Sequence, residues 1–204
     1  MNHHIKMLLE RFPELATCAP DIERAFSLMA DCYRSGGKVL LCGNGGSAAD
    51  AEHWAGELMK GFMQKRPLSS EMSKSLAPDL AKKLQGALPA IPLTGFLSLR
   101  SAFANDADPA YVFAQLVWGL GKAGDILVGI STSGNSINIV HAVETAANLE
   151  MKTIGLTGRD GGRIAGSTDV CIRVPAQEVY RAQEYHLTVY HCISLMLEDY
   201  FFPE

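Results

Sequence analysis

The sequence predicts an α/β protein, a three-layer, doubly wound sandwich with a five-stranded parallel sheet and helices ahead of the first strand. Three observations predict it. Short continuous apolar runs recur at Lys38–Cys42, Leu88–Thr94, Asp125–Ile130, Lys152–Thr157 and Val170–Val174. Continuous runs, unlike alternating ones, suit strands covered on both faces. Between them lie segments whose apolar residues recur at helical spacing, so strand and helix alternate. Finally, clusters of Gly, Ser, Thr and Asn follow three of the runs, at the carboxyl ends of strands where such folds bind ligands.

The elements follow in order. Ile5, Leu8, Leu9 and Phe12 recur at helical spacing until Pro13. A second helix begins near Pro20, with Asp21 and Glu23 in its first turn where acidic groups suit the helix dipole. It carries Ala25, Phe26, Leu28, Met29, Cys32 and Tyr33, and stops at Gly36-Gly37. The strand Lys38–Cys42 leads through a glycine-rich turn into a helix from Ala48 to Phe62. Residues 67–86 are polar, with a short helix starting at Pro78-Asp79. Leu88–Thr94 reads as a strand despite two prolines, followed by a helix at Tyr111–Gly119. The strand Asp125–Ile130 precedes a helix at Ile137–Leu149, and Lys152–Thr157 and Val170–Val174 are joined by a short connector near Ala165–Thr168. Val179–Tyr200 is a long closing helix. With no repeat and no linker, residues 1–204 read as one domain, with 1–37 an N-terminal helical segment.

Composition narrows the function. Of 204 residues, 48% are hydrophobic and 20% charged, which is the make-up of a chain with a buried core. Lys plus Arg number 18 against 22 Asp plus Glu, giving a net charge of −4 with no basic cluster, so no nucleic-acid partner is expected. No apolar run has the length of a membrane span, and Glu10 and Arg11 interrupt any leader-like core, so the expectation is a cytoplasmic protein without a membrane partner. Cys18, Cys32, Cys42, Cys171 and Cys192 are scattered and odd in number, which reads as free, mostly buried thiols.

Two turns carry chemistry. Ser131-Thr132-Ser133-Gly134-Asn135-Ser136 stands between a buried strand and a helix start. Hydroxyls, backbone N–H groups and the helix dipole converge there, which suits a phosphate. Gly43-Asn44-Gly45-Gly46-Ser47 also joins strand to helix, but it lacks both the dinucleotide fingerprint and the P-loop ending. Its glycines admit close backbone approach, and Asn44 and Ser47 can hydrogen-bond sugar hydroxyls. Downstream, His53 and Glu57 are four apart and share a helix face, a pattern that serves a metal or an ordinary surface. On the closing helix, Gln183 and His191 lie eight residues apart, roughly on one side. Spacing does not choose between His186 and His191, and on the residues alone Gln183 belongs to a polar helix face.

Taken together, these segments resemble the sugar isomerase (SIS) domain family. Within it they are most similar to the bacterial sedoheptulose-7-phosphate isomerases, also called phosphoheptose isomerases. The match rests on Cys42–Ser47 with Asp50, His53 and Glu57; Ala104-Asn105-Asp106; Gly124–Ser136; Leu156–Gly162; and Gln183–His186 with His191. It runs from about Lys38 to the end of the chain. The resemblance implies that His53, Glu57, Gln183 and His191 hold one zinc ion per subunit, selecting His191 over His186. It implies that Ser131, Thr132, Ser133 and Ser136 bind the sugar phosphate. It places Asn44, Gly45, Gly46, Ser47, Asn105, Asp106, Glu57 and Gln183 against the substrate. It also implies a homotetramer with sites shared between subunits, to which residues 1–37 contribute packing.

The implied reaction is an aldose–ketose isomerisation through an enediol, with Glu57 as base and His191 as acid/base partner. Sedoheptulose 7-phosphate would become D-glycero-D-manno-heptose 7-phosphate, a precursor of nucleotide-activated heptose. Two departures stand out. Where the family often has an arginine four residues after the glutamate, this chain has Gly61 beside Lys60. Residues 63–88 also form an insertion, carrying Lys65, Arg66, Lys74, Lys82 and Lys83, that reads either as a solvated surface arm or as a lid supplying the missing cation. The alternatives are an isomerase of another phosphosugar, and a non-catalytic regulator that binds the replication initiator protein. Relatives of the latter kind share the ending Phe201-Phe202-Pro203 but lack the complete metal and acid/base set.

Overall fold

The computed structural model describes residues 2–203. Its centre is a five-stranded, all-parallel sheet in the order β2-β1-β3-β4-β5. The strands are β1 (Val39–Gly43), β2 (Ala90–Pro92), β3 (Ile126–Ser131), β4 (Lys152–Thr157) and β5 (Val170–Arg173). The helices are α1 (His3–Arg11), α2 (Ala19–Arg34), α3 (Gly46–Met59), α4 (Ser70–Ser73), α5 (Pro78–Lys83), α6 (Leu97–Asp106), α7 (Val112–Leu120), α8 (Ile137–Asn148), α9 (Gly162–Ala165) and α10 (Val179–Phe201).

Successive residues of a strand point to opposite faces, and here the two faces feed two cores. Val39 and Leu41 join the layer built from α1, α2, α3 and α10, while Leu40 and Cys42 join the layer built from α7 and α8. Every residue of β1 and β3 is therefore buried, which is why the sequence runs are continuously apolar. The N-terminal helices are part of this core: Ile5, Leu15, Ile22, Ala25 and Met29 have no exposed surface.

The structure departs from the sequence reading at three elements. β2 spans only Ala90–Pro92 and lies at the sheet edge, because Pro92 cannot donate to a ladder and Leu93–Gly95 turns into a 3-10 helix. α6 is a helix the apolar pattern does not announce, since it buries no residue. α3 begins at Gly46 and ends at Met59, three residues short of Phe62, because the N–H groups of Phe62, Met63 and Gln64 turn to the carboxylate of Glu198.

Candidate active site

The strand order reverses between β1 and β3, and the loops that leave their carboxyl ends frame a crevice. One loop is Asn44–Gly46, opening α3. The other is Thr132–Ser136, opening α8. A pair of reciprocal amide hydrogen bonds joins them: Asn44 Nδ2 donates to Asn138 Oδ1 and Asn138 Nδ2 to Asn44 Oδ1, both at 2.9 Å. Asn138 escaped the sequence reading because it lies past the hydroxyl cluster, inside the helix.

The hydroxyl loop gathers its polar groups at the start of α8. The Ser131 and Ser136 hydroxyls lie 3.1 Å apart, and Ser133 Oγ accepts from the Asn135 N–H. Ser136 is the N-cap of α8 but makes no side-chain capping bond, and the first turn holds no acidic residue. The helix end therefore keeps its positive potential. Gly134 has φ +63, and a Cβ there would come within 1.9 Å of the Gly161 carbonyl oxygen. The loop after β4 packs directly beneath, with Arg163 N–H donating to Asn135 Oδ1 and Ile164 N–H to the Gly134 carbonyl.

Helices α3 and α10 run side by side in the same direction, Gly46 against Gln183 and His53 against Tyr190 and His191. His53 Nε2 is 3.1 Å from Glu57 Oε1, and its Nδ1 is 2.9 Å from the Tyr190 hydroxyl. Tyr190 in turn reaches Asp50 Oδ1 at 3.4 Å and stacks on Trp54. The His53 and His191 rings are 5.2 Å apart, edge to face. Glu57 Oε2 and His191 Nε2 are buried without a hydrogen-bond partner, although Lys60 Nζ lies 3.7 Å from that glutamate oxygen. Burial, then the neighbouring His53, pushes the His191 pKa below its ordinary value, against the opposing pull of Glu57. Burial also raises the Asp50 carboxyl, with Tyr190 and His53 opposing. Both shifts favour the neutral forms, an imidazole that can accept a proton and a carboxyl that can donate one.

Not every expected residue joins this constellation. The Gln183 amide sits over Gly46, where a Cβ would come within 2.2 Å of its Nε2, at the start of α3 rather than beside His53. Among the described residues no three His, Cys, Asp or Glu side chains converge as a ready metal cluster. Asn105 and Asp106 are exposed at the end of α6 and bond to each other at 2.8 Å. His186, the other histidine of the closing helix, is wholly buried. Arg66 is also fully buried and faces Glu198, so it does not supply a lid cation. Most of the rest of residues 63–88 is exposed.

Comparison with known proteins adds to this geometry. The model of the SIS domain family matches residues 2–87 and 73–158. The chain belongs to the SIS domain family. It is 41% identical over 186 residues to a phosphoheptose isomerase of Shewanella denitrificans, covering 90% of this chain and 85% of that protein. It is 44% identical over 178 residues to the phosphoheptose isomerase of Klebsiella pneumoniae, covering 87% and 82%. Two solved structures share the whole architecture. The phosphoheptose isomerase of Francisella tularensis superposes with a TM-score of 0.75 at 33% identity, covering 98% of this chain and 100% of that one. That of Neisseria gonorrhoeae does so with 0.71 at 36% identity, covering 95% and 98%. The five-stranded SIS fold expected from sequence is thus the fold of these family members.

Proposed function

We propose that this chain is an aldose–ketose isomerase that interconverts sedoheptulose 7-phosphate and D-glycero-D-manno-heptose 7-phosphate. One observation carries the reading. Glu57 and His191 lie together on adjacent helices, each with a buried, unpartnered proton-accepting atom, in a chain 41% identical to a phosphoheptose isomerase.

The residues divide the work by position. The Ser131–Ser136 loop and the N-terminus of α8 hold the phosphate, and its binding energy orients carbons at the far end of the sugar. Asn44, fixed by Asn138, and the backbone of Gly45-Gly46 line the other side of the crevice. Glu57 Oε2 takes the proton from C1 of the ketose. The C–H electron pair becomes the C1=C2 bond of the enediol, and the O2 oxygen takes up a proton. The proton returns at C2 while the O1 proton leaves, so no oxidant or reductant is consumed. His191 Nε2 serves the oxygens, and positioned proton transfer of this kind contributes about 10²–10⁴-fold.

The donor types of His53, Glu57, Gln183 and His191, imidazole, carboxylate and amide, would suit a zinc ion, although in the single chain Gln183 lies over Gly46 and, among the described residues, no three His, Cys, Asp or Glu side chains converge. When bound, zinc would polarise the carbonyl and stabilise enediolate charge. We propose that the product serves as a precursor of nucleotide-activated heptose. Asn105 and Asp106 face solvent in the single chain, which supports a homotetramer in which a neighbouring copy completes each site. The presence of His53, Glu57, Gln183 and His191 together favours the enzyme over a regulator, since the regulators lack that complete set.

The test is a coupled assay of the purified protein with sedoheptulose 7-phosphate, with and without a chelator, beside Glu57→Gln and His191→Ala. Turnover that needs both residues supports the reading. Intact binding of sugar phosphate with no heptose product points to another phosphosugar.

A further inference from the structure

Arg66 and Glu198 form an ion pair at the back of the site. Neither residue contacts the candidate catalytic atoms, and both are essentially without exposed surface, at 0% and 1%. Arg66 Nε donates to Glu198 Oε1 at 2.8 Å. The same carboxylate accepts the N–H groups of Phe62 and Met63 at 2.8 Å and of Gln64 at 3.1 Å. Burial works against its charge, yet these four donors hold the Glu198 carboxyl below its ordinary pKa.

The remaining guanidinium nitrogens point at α3. Arg66 Nη1 donates to the Leu58 carbonyl at 2.8 Å, and Nη2 to the Glu57 carbonyl at 3.2 Å. Helix α3 ends on Lys60 in an extended conformation, with no glycine cap for its last carbonyls. The Leu58 carbonyl also accepts the Leu88 N–H at 3.0 Å, so Arg66 adds a second donor there and a donor to the Glu57 carbonyl, and a cation there also suits the negative end of the helix dipole. Arg66 is therefore the C-terminal cap of the helix that carries His53 and Glu57. The turn that Glu198 gathers also presents Phe62, whose ring lies 5.2 Å from that of His191. Glu198 itself stands seven residues, two turns, beyond His191 on α10. One buried ion pair thus holds the backbone of Glu57, the ring packed on His191, and the helix that carries His191.

Stability alone does not account for such a pair. A buried ion pair is commonly no better than apolar side chains of the same volume, because desolvation offsets the attraction. What apolar side chains cannot reproduce is the directed set of bonds to the Glu57 and Leu58 carbonyls. We propose that Arg66 and Glu198 are positioning residues that set Glu57 against His191 for proton transfer; this rests on the isomerase reading above.

The experiment compares wild type with Arg66→Lys and with the double variant Arg66→Met/Glu198→Leu, which leaves no stranded charge. Thermal unfolding, kcat and KM for sedoheptulose 7-phosphate, and amide hydrogen exchange are measured on each. A displacement of about 1 Å in a catalytic group costs on the order of 100-fold. The folded double variant is expected to lose about 10- to 100-fold in kcat. Its KM should change by less than about threefold, because the phosphate loop is elsewhere. Exchange should quicken across residues 57–64 and remain slow in β1, β3 and β4. Arg66→Lys keeps the charge but not the fork of donors, and should recover only part of kcat. A folded double variant with kcat within about twofold of wild type overturns the proposal. If wild type itself makes no heptose phosphate, the isomerase reading fails instead. Exchange then still decides whether the pair holds Glu57, and unchanged protection at residues 57–64 overturns that.

Discussion

Glu57 has one carboxylate oxygen committed to His53 at 3.1 Å and the other buried without a hydrogen-bond partner. That division makes it the residue whose removal should separate chemistry from binding. Glu57→Gln keeps the volume and removes the base. It should lower kcat by about 10²–10⁴-fold with little change in KM. Steady-state kinetics beside a thermal melt check this, and a folded variant retaining most of its kcat would remove Glu57 from the role of base. The sequence shows the i,i+4 relation of His53 and Glu57 because helix geometry makes it inevitable. It does not show Tyr190 reaching the His53 ring at 2.9 Å, or Arg66 reaching the Glu57 carbonyl, because those contacts cross 137 and 9 residues of chain. An arginine in a polar stretch next to lysines has no local mark of burial. Only the location of Glu198 decides it.

At the scale of elements, β1, β3 and β4 with their following loops were legible, since a buried strand is continuously apolar and the exits of these three are rich in Gly, Ser, Thr and Asn. The loop Thr132–Ser136 owes its shape to Gly134 and to the Gly161-Gly162 turn beneath it. A side chain at position 134 would have to tolerate φ +63 and a clash with backbone that cannot swing aside. Gly134→Ala should cost at least about 1–3 kcal/mol of stability and raise KM more than it lowers kcat. Denaturant unfolding and kinetics on the same preparation test both parts; an unperturbed KM would mean the loop does not hold the phosphate. Helix α6 was not legible, because it fully buries no residue and only Phe103 packs partly against the core, which leaves no apolar period. β2 was overextended because two prolines in an apolar run obscure where pairing stops.

At the scale of the whole molecule, the buried groups outside the site set its response to conditions. His186 lies wholly inside, and burial pushes its pKa down to about 4, with the Thr157 backbone opposing. The folded chain therefore keeps it neutral while the unfolded chain takes up a proton below its ordinary value of 6.5. Stability should be unaffected above that pH and fall as pH drops from 6.5 towards about 4, by up to about 3 kcal/mol in all. His186→Leu should flatten that part of the profile in urea melts; an identical slope would mean that the imidazole is protonated in the fold. The thiols behave in the same spirit. Cys42 and Cys192, pushed up to about 12 by burial, should resist a thiol reagent until the chain unfolds. Sedimentation should give four times the 22.1 kDa of the chain, and a monomer that turns over substrate would show that each site is complete alone.

By itself the sequence determined the five-stranded parallel architecture and the polar loops that leave β1 and β3. Those follow from periodicity and from turn composition, which are local and need no partner to be read. His53, Glu57, Gln183 and His191 were singled out by the family resemblance, not by spacing. The tertiary structure decided that Asn138 locks Asn44, that Gln183 lies over Gly46, that His186 is interior, and that Arg66 turns inward to Glu198. These depend on which helices are neighbours across the sheet. Burial, hydrogen-bond satisfaction and charge pairing are properties of that packing, so no stretch of chain carries them alone.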